Sequence, residues 1–158
     1  MSQFRSAIQD VLLADLADLT FENSSNKLFV EVKPVFRRLP TGYPSCELIP
    51  LSTGIEIYGN DTDLRQYGYT INVYEYIDVQ TTDADTKLRV DRLANIEDRI
   101  YDFLEKIPNH IEYAVANCHC SKITPTGSIY LFDNSEQGVV LNLEINFNVE
   151  VTINVMAL

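Results

Sequence analysis

Basic residues are scarce in this 158-residue chain, which has twelve Lys and Arg against twenty-three Asp and Glu and a formal net charge of -11. Proteins that bind nucleic acid or anionic membranes use Lys and Arg to neutralise phosphate groups. The charge balance therefore argues against both roles. Residues 123–158 contain no Lys or Arg at all, so we expect this segment to present a surface of one sign.

Long apolar runs are also missing, and no stretch approaches the roughly 18 to 20 residues that a membrane-spanning helix needs. The opening MSQFRSAIQD lacks the basic and then apolar layout of an export signal. We therefore expect no membrane association and a protein made in the cytoplasm. A hydrophobic content of 46% fills one core, and no linker or repeat divides the chain, so we expect a single domain over residues 1–158.

Residues for catalysis or metal binding are few. Three cysteines without an export signal do not predict disulfides. Cys118, His119 and Cys120 are spaced too closely for a usual zinc site, and only Cys46 and His110 remain to complete it. Neither histidine lies in a recognisable catalytic context, and the six glycines are scattered. We expect no enzyme activity, no metal and no cofactor.

Apolar residues at helical spacing predict two amphipathic helices, the first over residues 3–19 and the second over about 84–106, where Pro108 is expected to end it. Strand-forming residues predict short strands at 28–36, 46–51, 111–123 and 128–132 and a long strand at 65–79. Residues 52–63, with two glycines and three acids, predict a solvated hairpin or flap. In the long strand, Tyr67 and Tyr69 share one face, and Tyr74 and Tyr76 share the other. Packing in the core and contact at an interface would each explain these four tyrosines.

The clearest pattern is the alternation of apolar and polar residues over 139–155. At about 3.3 Å per residue it would extend about 55 Å, whereas typical strands cover roughly 17 to 20 Å. We expect either a bend that divides it into two strands, or an end that projects and finds apolar cover on a neighbouring subunit. In the second alternative Val149, Val151 and Ile153 lie in a subunit interface, and Asp at Val151 or Ile153 abolishes assembly without unfolding the protomer.

Three segments resemble the tail-terminator family of long-tailed bacteriophages, also called tail-completion or minor tail proteins. The first is FRSAIQDVLLADLADL near the N-terminus. The second is RQYGYTINVYEYI with the following DRLANIEDRIYDFLEKI, and the third is GVVLNLEINFNVEVTINV. On this basis we expect an α+β fold, in which a mostly antiparallel mixed sheet with a long C-terminal strand packs against two helices.

The resemblance implies a non-enzymatic hexameric ring that caps the head-proximal end of the tail tube, ends tube polymerisation and docks to the neck. Its implied partners are further copies of the chain, the tail tube protein and a neck or head-completion protein. DNA passes through the lumen without specific binding, and the protein resides in the virion after assembly in the host cytoplasm. Another head-to-tail connector, or a small cytoplasmic ligand-binding domain or enzyme, are the alternatives.

Two polar clusters are candidates for subunit, tube or lumen surfaces beside the terminal strand. Arg37 and Arg38 form the basic cluster of the chain, in a Pro-rich turn, where they either meet an acidic partner or are simply solvated. Glu56, Asp61 and Asp63 lie in the predicted flap. We expect these residues at the interface.

Overall fold

The computed structural model of the chain describes residues 3–35, 40–58 and 61–154. Two helices and a five-stranded mixed sheet form an α+β fold, as the sequence predicted. In chain order the elements are α1 (Gln3–Asp18), β1 (Glu31–Lys33), β2 (Ser45–Tyr58), β3 (Thr62–Asp78), α2 (Asp83–Ala114), β4 (Cys118–Ser135) and β5 (Gly138–Asn154). The spatial order is β1-β2-β3-β5-β4, with β1 parallel to β2 and every other pair antiparallel.

Both helices cover the same face of the sheet. Odd-numbered residues of β3 and β5 lie opposite each other, as Ile71 does to Ile145, and the apolar ones pack in one cluster with the apolar residues of α1 and α2. We call this the helix side of the sheet and the other side the polar face. The predicted face assignment of the tyrosines is confirmed, because Tyr67 and Tyr69 are buried on the helix side.

The second helix is longer than predicted, since it continues through Pro108 to Ala114. A proline inside a helix removes one backbone hydrogen bond, and the predicted end at residue 106 relied on that cost. Ile107 and Ile111, four residues apart on the buried face, are 3% and 0% exposed. Their burial outweighs the lost hydrogen bond, so residues 111–114 are helical and the strand predicted from 111 begins at Cys118.

The two short strands predicted at 111–123 and 128–132 are one strand, β4. The Pro125-Thr126-Gly127 segment, which lies between the two predicted strands, is a bulge at which the register with β5 shifts. Gly127 has a φ of 137°, which residues with a side chain rarely adopt. Proline and bulges are tolerated here because β4 is an outer strand.

At the opposite side of the sheet, the described part of the strand predicted at 28–36 contains β1, Glu31–Lys33, which pairs with β2 and ends before Pro34. The predicted strand at 46–51 continues into residues 52–58, which with the start of β3 form the predicted hairpin. Residues 51–56 are exposed, in agreement with a solvated hairpin.

The expectation for the terminal strand was wrong in both of its forms. β5 is unbroken, and it pairs with β3 from Gly138 to Asn154 and with β4 on its other side. Val149, Val151 and Ile153 are 0% exposed within the single chain. A 32-residue helix extends about 48 Å at 1.5 Å per residue, so α2 together with α1 is long enough to cover the strand. These three residues belong to the protomer core and not to an interface.

Candidate interaction surface at the sheet edges

The most exposed apolar segment of the described sheet lies on its outer strand, β4. Ile129, Tyr130, Leu131 and Phe132 are 50%, 40%, 42% and 67% exposed. Tyr130 and Phe132 lie opposite Leu143 and Leu141 and therefore point to the helix side, while Ile129 and Leu131 point to the polar face. An outer strand also leaves unpaired backbone groups along its free edge, and such an edge tends to pair with another chain.

Glu97 of α2 holds this part of β4 against the helix. The Ser128 hydroxyl donates a hydrogen bond to a Glu97 carboxylate oxygen at 2.7 Å. Partial burial and the neighbouring Glu97 carboxylate raise the pKa of the Tyr130 hydroxyl to about 12. The exposed segment is thus fixed in an extended conformation on its own protomer.

Most features that discourage edge pairing lie in the first half of β4. Bulges at residues 121 and 126 interrupt its register, Pro125 lacks a backbone N–H, and Lys122 adds a charge. Natural proteins use these devices to prevent sheets from joining at their edges. Residues 128–135 pair regularly with β5, without bulge or proline, and Asp133 is their one charged residue. The second half of β4 therefore remains open to a partner strand. We call residues 128–135 the β4 edge segment.

At the other side of the sheet, no strand within the described residues pairs with β2 beyond β1, and the Arg5 guanidinium donates a hydrogen bond to the Ser52 carbonyl at 2.7 Å. β1 pairs with β2 only at residues 45–47. Beyond them, Leu51 and Ile55 are 60% and 58% exposed. Residues 48–55 contain no charged side chain. We call residues 48–56 the β2 edge segment.

The structure does not bring the polar residues predicted at an interface into one site. Glu56 is exposed on β2, and Asp61 is exposed in the turn before β3. Asp63 is not solvated as expected, because its carboxylate accepts a hydrogen bond from Arg65 at 3.0 Å and its side chain is 15% exposed. Arg37 and Arg38 lie outside the described residues.

The polar face carries hydrogen-bonded side chains in place of a second apolar layer. The Tyr74 hydroxyl and the Asn72 amide both donate to Glu47, at 2.9 and 3.2 Å. The Thr70 hydroxyl donates to the Asn146 side chain. Glu47, Thr70 and Asn72 are no more than 7% exposed. These bonds fix the strands laterally, and this face is not covered by either helix.

The three thiols and two imidazoles do not meet at one place in the described structure. Cys118 lies opposite Ile153 at one end of the sheet, whereas Cys46 lies opposite Val73 some ten residues further along β3, about 33 Å away. His119 contacts Glu112 at 2.9 Å, and His110 contacts Asp15. Among the described residues, no three His, Cys, Asp or Glu side chains are grouped so that they could hold a metal ion.

The buried thiols should react slowly, which offers a direct check of the core. Burial raises the pKa of Cys118 to about 11 and that of Cys120 to about 12, and it raises the pKa of Cys46 further. Because the thiolate is the reactive form, we expect labelling by a disulfide reagent at pH 8 to be at least about a hundredfold slower than in guanidinium. The rate should rise as the pH approaches 11. A thiol that reacts at pH 8 as fast as free cysteine would contradict this packing.

Comparison with models of protein families finds no match to this chain, and comparison with curated protein sequences finds none either. Among the described helices, none is long and apolar enough to cross a membrane. The fold and its two free edges are therefore the basis on which a function is proposed.

Proposed function

We propose that this chain is a structural subunit of a phage tail-terminator ring. The ring caps the head-proximal end of the tail tube, ends tube polymerisation and joins the tail to the neck. One observation carries the proposal: among the described residues no strand pairs with the outer edge of β4 or with β2 beyond residue 47, and β4 exposes four uncharged apolar residues at 129–132. The three segments that resemble the family form α1, β3 with α2, and β5, which are both helices and two adjacent inner strands of the sheet.

The case for an oligomer differs from the one that the sequence suggested. The terminal strand needs no neighbour, because its apolar side is buried within the chain. The surface that a neighbouring subunit would cover is the β4 edge segment and not the terminal strand. A contact between two different edges repeats from copy to copy, and it closes into a ring when the rotation allows.

The charge of the chain supports a ring through which DNA passes. Each subunit has a net charge of -11, so a ring of such subunits repels a duplex with one phosphate charge per about 1.7 Å. Repulsion prevents DNA from adhering to the wall during passage. Partner recognition would then depend on the outer faces of the ring, one toward the tube protein and one toward the neck protein.

The proposal is tested by mass photometry and negative-stain imaging of the purified protein, alone and with tail tubes. We expect rings of uniform size, either free or at one end of the tube. Tubes assembled in the presence of the protein should stop growing at that end. A protein that stays monomeric with tubes present, and leaves tube growth unchanged, would contradict the proposal.

A connector at another position of the head-to-tail junction is the nearest alternative. The same two free edges would support ring formation there, so the subunit fold does not separate the two. Binding does separate them: a terminator binds the tube end directly, whereas a connector binds the neck and leaves tube growth unaffected.

One observation favours a ligand-binding domain as a second candidate. His110 and Asp15 are in contact beside a groove between α1 and α2, and the groove is lined by Leu19, Phe103 and Ile107. A metabolite panel tests it through ligand-induced thermal stabilisation. A rise in Tm that His110→Ala abolishes would support this candidate, and under the ring proposal no metabolite raises the Tm.

A further inference from the structure

We infer that the ring closes by strand addition, with the β4 edge segment of one copy pairing with the β2 edge segment of the next. This inference rests on the proposed function, because it names the contact between ring subunits. Four strands, β2, β3, β5 and β4, lie between the two free edges. The contact would join these sheets into one continuous sheet around the ring.

Strand directions favour this pairing. Each neighbouring pair from β2 to β4 is antiparallel, so β4 runs opposite to β2. A second copy placed beside β4 in the same orientation therefore presents β2 in the antiparallel direction. The helices of both copies then lie on the same side of the joined sheet, and the alternation continues through every further copy.

Exposed apolar side chains of the two edges point to the same side of the sheet. Phe132 is 67% exposed and lies opposite Leu141, which is buried on the helix side. Ile55 is 58% exposed and lies opposite Arg65, whose other neighbour is the buried Val151. Both side chains thus point to the helix side, where each would cover the other at the junction.

Charge favours a second copy as the occupant. The chain carries a net charge of -11, so most approaches between two copies are repulsive. Residues 123–132 of β4 and residues 48–55 of β2 contain no charged side chain. The charged residues of the two edge segments are Asp133 and Glu56, which lie near their ends, so residues 128–132 and 48–55 can meet without placing a charged side chain of their own in the contact. A strongly acidic partner would find no Lys or Arg within either segment.

The part of β2 that β1 occupies determines the offset between copies. Ser128 is level with Leu48, through Ile145 and Ile71, so residues 129–131 lie level with the β2 residues 45–47 that pair with β1. The strand of the neighbouring copy must therefore contact β2 further along, within residues 48–56. Such an offset tilts the strands relative to the ring axis, as closure of a sheet into a barrel requires.

The first experiment places a charge on the edge. Leu131→Lys changes a side chain that is 42% exposed, and Leu88→Lys on α2 makes the same change at a side chain that is 65% exposed. Circular dichroism should show both variants folded. In mass photometry we expect Leu131→Lys to raise the concentration needed for ring formation at least tenfold and Leu88→Lys to leave it unchanged.

The second experiment identifies which edges meet. The double variant Phe132→Cys/Ile55→Cys is treated with a short bis-maleimide, and wild type provides the background of the buried native thiols. We expect a ladder of crosslinked chains on a denaturing gel for the double variant. Neither single variant should crosslink. Crosslinked dimers from Phe132→Cys alone would show that two β4 strands meet, and they would overturn the inference.

The outcomes separate the inference from the proposed function. Wild-type rings that persist unchanged in Leu131→Lys overturn the edge contact and leave the ring function standing. Wild-type protein that forms no ring, with or without tubes, overturns both. Rings in wild type, their loss in Leu131→Lys and the crosslinked ladder together establish the contact.

Discussion

Ile153→Asp is expected to prevent folding, with a loss of more than about 4 kcal/mol in the free energy of unfolding. Ile153 is 0% exposed and lies between Asp63 on β3 and Cys118 on β4. The new carboxylate would be buried beside an existing one, without a basic partner of its own. Far-UV circular dichroism and urea denaturation of the soluble fraction measure the effect.

The preceding residue supplies the control for this prediction. Thr152 lies on the polar face of the same strand and is half-buried. Thr152→Asp places the same charge at the adjacent position without burying it, so we expect it to change the free energy of unfolding by less than about 1 kcal/mol. An Ile153→Asp protein that stays folded but no longer assembles would contradict this placement and would show that the end of β5 lies in a subunit interface.

Regular elements could be predicted because their periodicity reflects burial on one side. The alternation over residues 139–155 predicted β5 almost to its ends, and the dense aromatic and β-branched residues predicted β3. The first helix and its buried stripe of Phe4, Ile8, Leu12 and Leu16 also agree with the prediction. In each of these elements the residue pattern and the packing of one face favour the same secondary structure.

The errors occurred where local signals competed with tertiary packing. Pro108 is a helix-stopping residue by itself, but the buried Ile107 and Ile111 keep the helix intact around it. Pro125 and Gly127 form a turn signal, but pairing with β5 on one side turns the segment into a bulge. Neither outcome can be derived without knowing which neighbour each segment packs against.

The candidate surface was missed for a related reason. The sequence shows that a strand is apolar, but it does not show which strand is the outer one in the sheet. The apolar alternation of β5 therefore predicted that a neighbouring subunit covers this strand, although β5 lies between β3 and β4 of its own sheet. The run Ile129, Tyr130, Leu131 and Phe132 was a usable signal, because four consecutive apolar residues place apolar groups on both faces of a strand.

Arg92→Met is expected to destabilise the protomer by about 2 to 4 kcal/mol, because it leaves a buried charge without its partner. Glu75 is 1% exposed on the helix side of β3. One of its carboxylate oxygens accepts hydrogen bonds from Nε and Nη2 of Arg92, at 2.9 and 2.6 Å. Met retains an apolar stem of similar length, so the loss reports on the charge and not on packing. Chemical denaturation at pH 7 measures it.

A double variant and a surface control separate the cost of the orphaned charge from the value of the ion pair. Glu75→Gln/Arg92→Met removes both charges, so it should recover at least half of the stability that Arg92→Met alone loses. Lys87→Met breaks an exposed ion pair with Asp91 on the same helix and should cost no more than about 0.5 kcal/mol. Equal destabilisation of Arg92→Met and the double variant would show that the interaction, and not the unpaired carboxylate, determines the loss.

The α2 helix also carries Glu97, which holds the β4 edge segment. Arg92→Met should therefore weaken ring formation in proportion to the fraction of protein that is unfolded. Leu131→Lys should weaken ring formation without unfolding the protein.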